Sequence, residues 1–143
     1  MTVAVRRATG ADQTRALEMA RDFHKASETE LPFSAAMAAG VFNASLSSYD
    51  RICLVLDVDG TARGILVAHA GMHGFSPVKI ATEIVWWIDP DARGRGAIKM
   101  LAAYEDWARA CGCKFASMVG LGSDPAVSRL YESRNFKAAE RHF

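Results

Sequence analysis

Residues 83–102 read EIVWWIDPDARGRGAIKMLA. An apolar stretch ends at Ile88, Asp89-Pro90 stops it, Arg93, Gly94, Arg95 and Gly96 follow, and a helical pattern begins at Ala97. This order has a direct chemical use. A helix start presents backbone N–H groups without intrahelical partners at the positive end of the dipole. Glycines let a ligand approach that backbone, and arginines add charge-assisted hydrogen bonds to phosphate oxygens. The stretch therefore predicts an anion site on a strand–loop–helix junction, most simply a pyrophosphate cradle. It has neither the Lys-Ser/Thr ending of a P-loop nor a full G-x-G-x-x-G, which argues against ATP and NAD. An exposed turn with solvated arginines is the competing reading.

A second pattern, DPAVSRLYESRNF, occupies residues 124–136. Together the two stretches resemble the GNAT superfamily of acyl-CoA-dependent N-acyltransferases. In that family R/Q-x-x-G-x-G/A wraps the pyrophosphate of coenzyme A. Here Arg93 and Gly96 match, and Ile98 stands where Gly or Ala is usual. The downstream stretch resembles the family's N-x-x-A-x-x-L-Y-E-K-x-G-F. Leu130, Tyr131, Glu132 and Phe136 agree, while Asp124, Val127 and Asn135 replace Asn, Ala and Gly. The resemblance is strong over residues 82–136; before them only the order of elements agrees.

The resemblance implies acetyl-CoA as co-substrate, no metal, and transfer of the acetyl group to a primary amine by direct attack on the thioester. The acceptor, a small molecule or a protein, is not specified by it. Cofactor-binding roles fall on Ile88, whose N–H would donate to the thioester carbonyl, and on Arg93, Gly94, Arg95, Gly96, Ala97, Ile98 and Asp124. Catalytic roles fall on Tyr131, as acid or hydrogen-bond donor to the leaving sulfur, and on Glu83, as general base. The amine must be neutral to attack, so a base or a water relay must take its proton. For Glu83, burial among Ile84, Val85 and Trp86 would raise its pKa to a useful range. His73 is the runner-up base; a solvated or arginine-paired carboxylate is the competing reading for Glu83, and a core aromatic beside Leu130 is the competing reading for Tyr131. The acceptor side would draw on residues 27–34, where Glu28 and Glu30 could attract a cationic amine or simply face water. Two further readings on the same fold stay open: a module that binds CoA without turnover, and a protein-interaction subunit.

The elements that must position these residues follow from local patterns. Residues 2–8 alternate as a strand, 11–26 carry helical spacing, and Ser34 opens a second helix to about residue 46. Residues 51–58 and 62–70 are strands joined by the hairpin signal Asp59-Gly60. A third strand spans 78–88, a helix 97–111 ends at Gly112, a strand spans 115–119, a last helix ends near Arg134, and a strand over 136–143 closes the chain. The order β-α-α-β-β-β-α-β-α-β is a mixed α/β (α+β) arrangement. The resemblance implies a mostly antiparallel sheet flanked by helices, its fourth and fifth strands splayed to admit pantetheine.

With 143 residues the chain is expected to be one domain, 1–143, able to bury a core without disulfide or metal. The net charge of +1 gives no global attraction to nucleic acid or membrane. Three cysteines at unframed spacings, no signal-peptide core at the start and no apolar run near the length of a membrane span point to a cytoplasmic protein. The closing strand is a candidate for pairing two copies into a homodimer.

Overall fold

The computed structural model describes residues 1–119 and 125–139, without the side chains of Arg95 and of residues 125–128. The elements are β1 (Val3–Arg7), α1 (Gln13–Ala26), α2 (Ala35–Ser47), β2 (Arg51–Val58), β3 (Thr61–Met72), β4 (Lys79–Ile88), α3 (Arg93–Ala110), β5 (Phe115–Ser117) and α4 (Pro125–Ser133). This is the expected order as far as α4. Of the expected closing strand, residues 136–139 make no strand pairing, and 140–143 lie outside the described residues.

The sheet runs β1-β2-β3-β4-β5 in space. The first four strands pair antiparallel, and β5 joins β4 in parallel. Helices cover both faces. Leu54, Leu56, Leu66, Ala81 and Ile88 pack on one side with Met100, Tyr104 and Trp107 of α3. Cys53, Val55, Ile65 and Val67 pack on the other with Ala16 and Met19 of α1 and Phe42 of α2. The central strand β2 is covered on both sides, which is why RICLVLDV shows no polar alternation.

Local chemistry sets the joints. Asp59 (φ 52°) and Gly60 (φ 87°) both take positive φ, as a tight β2–β3 hairpin with native twist requires. The Ser34 side chain accepts from the Met37 N–H and caps α2. At the end of α3, Gly112 takes φ 80°, its N–H bonds the Arg109 carbonyl, and the Cys113 N–H bonds the Ala108 carbonyl. The same pair of bonds closes α4, with Asn135 at φ 69°. Both are Schellman ends, so Asn135 stands in for glycine without losing the motif.

One expectation is corrected. Helix α3 begins at Arg93, four residues before Ala97, so Arg93, Gly94, Arg95 and Gly96 form its first turn rather than a loop. A short 3-10 turn, Pro90–Ala92, leads into it, with the Ala92 N–H on the Asp89 carbonyl at 2.8 Å. The low helix propensity of the glycines hid this start. Gly96 also has a packing role that the sequence did not announce. A Cβ at Gly96 would lie 2.3 Å from Leu56 Cδ1, so its missing side chain lets α3 sit close against β2. Around Gly94 there is open space, and there the backbone can be approached from outside.

Two effects oppose each other in Gly96→Ala. Helix propensity favours Ala by up to about 1 kcal/mol, whereas overpacking a buried contact costs about 1–3 kcal/mol. With Leu56 fully buried the second should win. Urea unfolding of Gly96→Ala is expected to show a net loss of stability. Truncating Leu56 in the same chain should make the two losses less than additive; full additivity would contradict the contact.

Candidate active site

The site grows from an incomplete ladder. β5 pairs with β4 only through Ile80–Phe115, Ala81–Ala116 and Thr82–Ser117. Beyond that point the far edge of β4, from Glu83 to Ile88, has no strand beside it among the described residues. The Asp89 N–H bonds the Arg63 carbonyl of β3 at 2.8 Å. Successive N–H groups of a strand point to opposite sides. The N–H of Ile88, one residue earlier, therefore points away from β3 into the opening. The carbonyl of Ile88 shares that direction and accepts from Arg93 Nε at 2.8 Å. The Ile88 N–H stands where a ligand lying along the edge would need a donor.

A bulge controls which side chains enter the opening. Val67 pairs with Val85 and Ala68 with Glu83, so Ile84 is an extra residue in β4. Ile84 and Val85 consequently both line the α1–α2 side. Glu83 stays on the α3 side two residues after Ala81, and Trp86 rejoins that side three residues later. Without the extra residue, Trp86 would face away from Glu83. The sequence reading surrounded Glu83 with Ile84 and Val85; the bulge sends both to the opposite face.

Glu83 is 5% exposed. Among the described residues no cation or hydrogen-bond donor reaches its carboxylate, and burial pushes its pKa up to about 8. Two tyrosines share its surroundings. Burial, with Glu83 as the next contributor, pushes both Tyr104 and Tyr131 above the usual tyrosine range. Tyr104 donates to the Ser117 carbonyl at 2.7 Å, at the point where the β4–β5 ladder ends. Tyr131 of α4 donates to the Val119 carbonyl at 2.8 Å, and its ring stacks on Trp86 with centroids 6.0 Å apart. Trp86 in turn has a buried indole N–H without a partner among the described residues. The structure thus brings Glu83 and Tyr131 to one place, as expected. It adds Tyr104 and the ring of Trp86 to them, since no catalytic pattern in the sequence marks either.

At the end of β4, Asp89 ties the junction together. Its carboxylate accepts from Arg15 of α1, from Arg63 Nε of β3 at 3.0 Å and from Trp87 Nε1 at 3.1 Å. Trp87 faces the α1 side, and the Arg93 guanidinium lies over its ring at 4.6 Å. The start of α3 has Ala92 at its N-cap and no side-chain cap. The first-turn N–H groups at Arg93, Gly94 and Arg95 thus have no intrahelical acceptor. Ala97 packs on the core, and Ile98 is 47% exposed on the outer side of the turn. The side chain of Arg95 and all of Asp124 lie outside the described residues. The geometry can hold an anion at the helix start and an extended chain along the β4 edge, ending beside Glu83 and Tyr131.

Other sequence candidates fall elsewhere. His73 sits in the β3–β4 hairpin beyond the Met72–Lys79 pair, where its Nδ1 accepts from the Phe75 N–H. Four residue steps, about 13 Å of β4, separate even Lys79 from Glu83. Glu28 and Glu30 are exposed. From their segment Phe33 turns inward instead, onto the α1–α2 face.

Residues 14–136 match the model of the Acetyltransferase (GNAT) family. No curated protein sequence matches the chain significantly. Among solved structures, a transcriptional regulator from Bacillus halodurans C-125 is similar with a TM-score of 0.82 at 20% identity, over 99% of this chain and 97% of that one. A predicted acetyltransferase with acetyl-CoA from Clostridium acetobutylicum gives 0.81 at 12% identity, over 99% and 94%. An aminoglycoside antibiotic 6'-N-acetyltransferase from Acinetobacter baumannii gives 0.78 at 17% identity, over 99% and 95%. At such identities these likenesses speak for the fold alone.

Burial of Glu83 has a consequence for stability. An unfolded glutamate titrates near 4.5 and the folded one near about 8. Between those values the folded chain keeps a proton that the unfolded chain has released, so this group's contribution to stability falls as pH rises. Glu83→Gln has no such titration. Its stability relative to the unsubstituted chain is expected to improve steadily from about pH 5 to about pH 8 in denaturant titrations. A difference independent of pH would mean that the carboxylate is solvated.

Proposed function

Because the chain belongs to the GNAT acetyltransferase family, we propose that it is an acetyl-CoA-dependent N-acetyltransferase acting on a primary amine by direct attack on the thioester. The observation that carries the reading is the meeting of the unpaired β4 edge with the uncapped start of α3. One offers backbone donors in a line and the other offers three N–H groups at the positive end of a helix.

Acetyl-CoA would supply an activated acyl group and a thiolate leaving group. The first turn of α3 would hold its pyrophosphate, with backbone N–H groups at Arg93, Gly94 and Arg95 and the two arginines as charge partners. The positions Gly96, Ala97, Ile98 and Asp124 complete the proposed binding segment. Gly96 acts by letting the helix approach β2. Pantetheine would lie between β4 and β5. The Ile88 N–H would donate to the thioester carbonyl, where charge grows as the amine attacks. Tyr131, once its hydroxyl turned from the Val119 carbonyl, would donate to the departing sulfur. Glu83 would take the proton from the amine, directly or through one water. Its raised pKa suits a base working near neutral pH. Trp86 and Tyr104 would keep this region dry and hold Tyr131 in place. Acetyl-CoA and three free thiols both fit a reducing cytoplasm.

One observation favours a second reading, a CoA-binding module without turnover: the Tyr131 hydroxyl is already engaged by a carbonyl. Thiol release from acetyl-CoA with a panel of primary amines separates the two, since a module would bind and release nothing.

Binding is expected to fail first through charge. Arg93→Glu should weaken acetyl-CoA affinity at least tenfold in calorimetry, about 1.4 kcal/mol. Unchanged affinity would remove Arg93 from the phosphate site and leave it as a clip between Trp87 and Ile88.

The rate–pH profile should show a limb that rises to a plateau above about 8 as Glu83 loses its proton. Glu83→Gln is expected to lower the turnover number by about 10²–10⁴-fold and to abolish that limb. A Gln variant with an unaltered profile would exclude Glu83 as the base.

A further inference from the structure

On the face of the sheet opposite Glu83, α1, α2 and the β3–β4 pair surround an open cavity of about 190 Å³. Phe23, Phe33, Val41, Phe42, Ile84 and Val85 contribute to its wall. The only titratable side chain on that wall is His24. Its Nε2 is bonded to the Leu31 carbonyl at 2.7 Å, and its ring lies 5.4 Å from Phe33. Helix α2 carries no charged residue along its length. Among the described residues no carboxylate lines the cavity, and Glu28 and Glu30 face water.

The bulge joins this cavity to the reacting edge. Ile84 is the extra residue of β4 and is 37% exposed, so the wall begins at the residue directly after Glu83. At the outer edge the Arg21 guanidinium covers the Phe33 ring at 5.0 Å. Glu18 and Asp22 line the same outer groove beside Arg21, so the charge outside the cavity is mixed while its own wall is apolar. An amine with several charges would be desolvated here against apolar walls with no carboxylate to receive it. A flat apolar group fits instead. A cavity of about 150 Å³ lined by Leu, Ile and Phe is large enough to hold benzene, and phenylalanine walls offer edge and face contacts to a ring.

The geometry points to this cavity as the specificity pocket for the acyl acceptor, and to the acceptor as an arylalkylamine: a primary amine carrying one aromatic ring on a short alkyl tether. The assignment rests on the acyltransferase reading above. The ring sits between Phe33, Val41 and Ile84, and the tether leads the nitrogen around the bulge to the β4 edge. The exposed carboxylates of residues 27–34 have no part in it; Phe33 is what that segment contributes.

The test uses the full chain, with calorimetric titration of 2-phenylethylamine, ethylamine and kanamycin in parallel. 2-Phenylethylamine is expected to bind at least tenfold more tightly than either of the others. Val41→Trp, which fills the cavity, should remove that advantage while acetyl-CoA affinity is retained. Ala38→Phe fills it from the next turn of α2 and serves if the first variant does not fold. Equal affinities for the three amines, or an advantage that survives both filled variants, would overturn the pocket. Thiol release from acetyl-CoA on the same samples tests the underlying reading separately. Release with ethylamine as efficient as with 2-phenylethylamine overturns the pocket alone. Binding of 2-phenylethylamine without any release overturns the acceptor role through failure of the acyltransferase reading.

Discussion

Three residue pairs hold β5 to β4, and the ladder stops there. Most of the site depends on that early stop. A fully paired β5 would occupy the far edge of β4, and the Ile88 N–H would be spent on a strand. With the ladder short, the edge is kept open by what flanks it. Tyr104 bonds the last β5 carbonyl from below, and Tyr131 bonds the Val119 carbonyl just after it. An open edge is ordinarily an aggregation hazard. Here it lies between two helices, and its useful length is short.

The other end of β4 is fixed by charge. Asp89 collects donors from α1, from β3 and from the indole of Trp87, and its own backbone carbonyl starts the turn into α3. The arginines on Asp89 are about a third exposed, so each pair by itself contributes little to stability. Their value is geometric. They fix the exit of the strand and so the direction in which the first turn of α3 aims its N–H groups. Arg93 adds a tie of its own, stacking on Trp87 and bonding Ile88. Between these anchors the bulge at Ile84 assigns side chains to faces: acid and aromatic groups on one side, an apolar wall on the other.

Glu83 shows why a single burial matters chemically. No partner among the described residues offsets its desolvation, so the neutral acid dominates at neutral pH and the carboxylate becomes available just above it. The Gln variant, compared across pH for both stability and rate, reads the same titration twice. A carboxylate that merely paired with an arginine would titrate below the free value instead, and neither measurement would change between pH 5 and pH 8.

The sequence determined what depends on near neighbours. The Asp59-Gly60 turn, the Ser34 cap, the glycine end of α3 and the Asn135 end of α4 are each decided by a residue's own φ preference or side-chain oxygen, and all were legible. So was the order of elements as far as α4, because periodicity is local, and so was the motif that brings arginine and glycine to a helix start. The tertiary structure decided what depends on contacts distant in sequence. Helix α3 starts at Arg93 because Asp89 and Ile88 hold its first turn, although its glycines disfavour helix. Gly96 is required by its contact with Leu56, forty residues earlier, which no local pattern announces. The extra residue at Ile84 is invisible in a run of apolar residues, because register is a property of two strands and not of one. That register sends Val85 to the face of Ile84 and brings Trp86 to the face of Glu83.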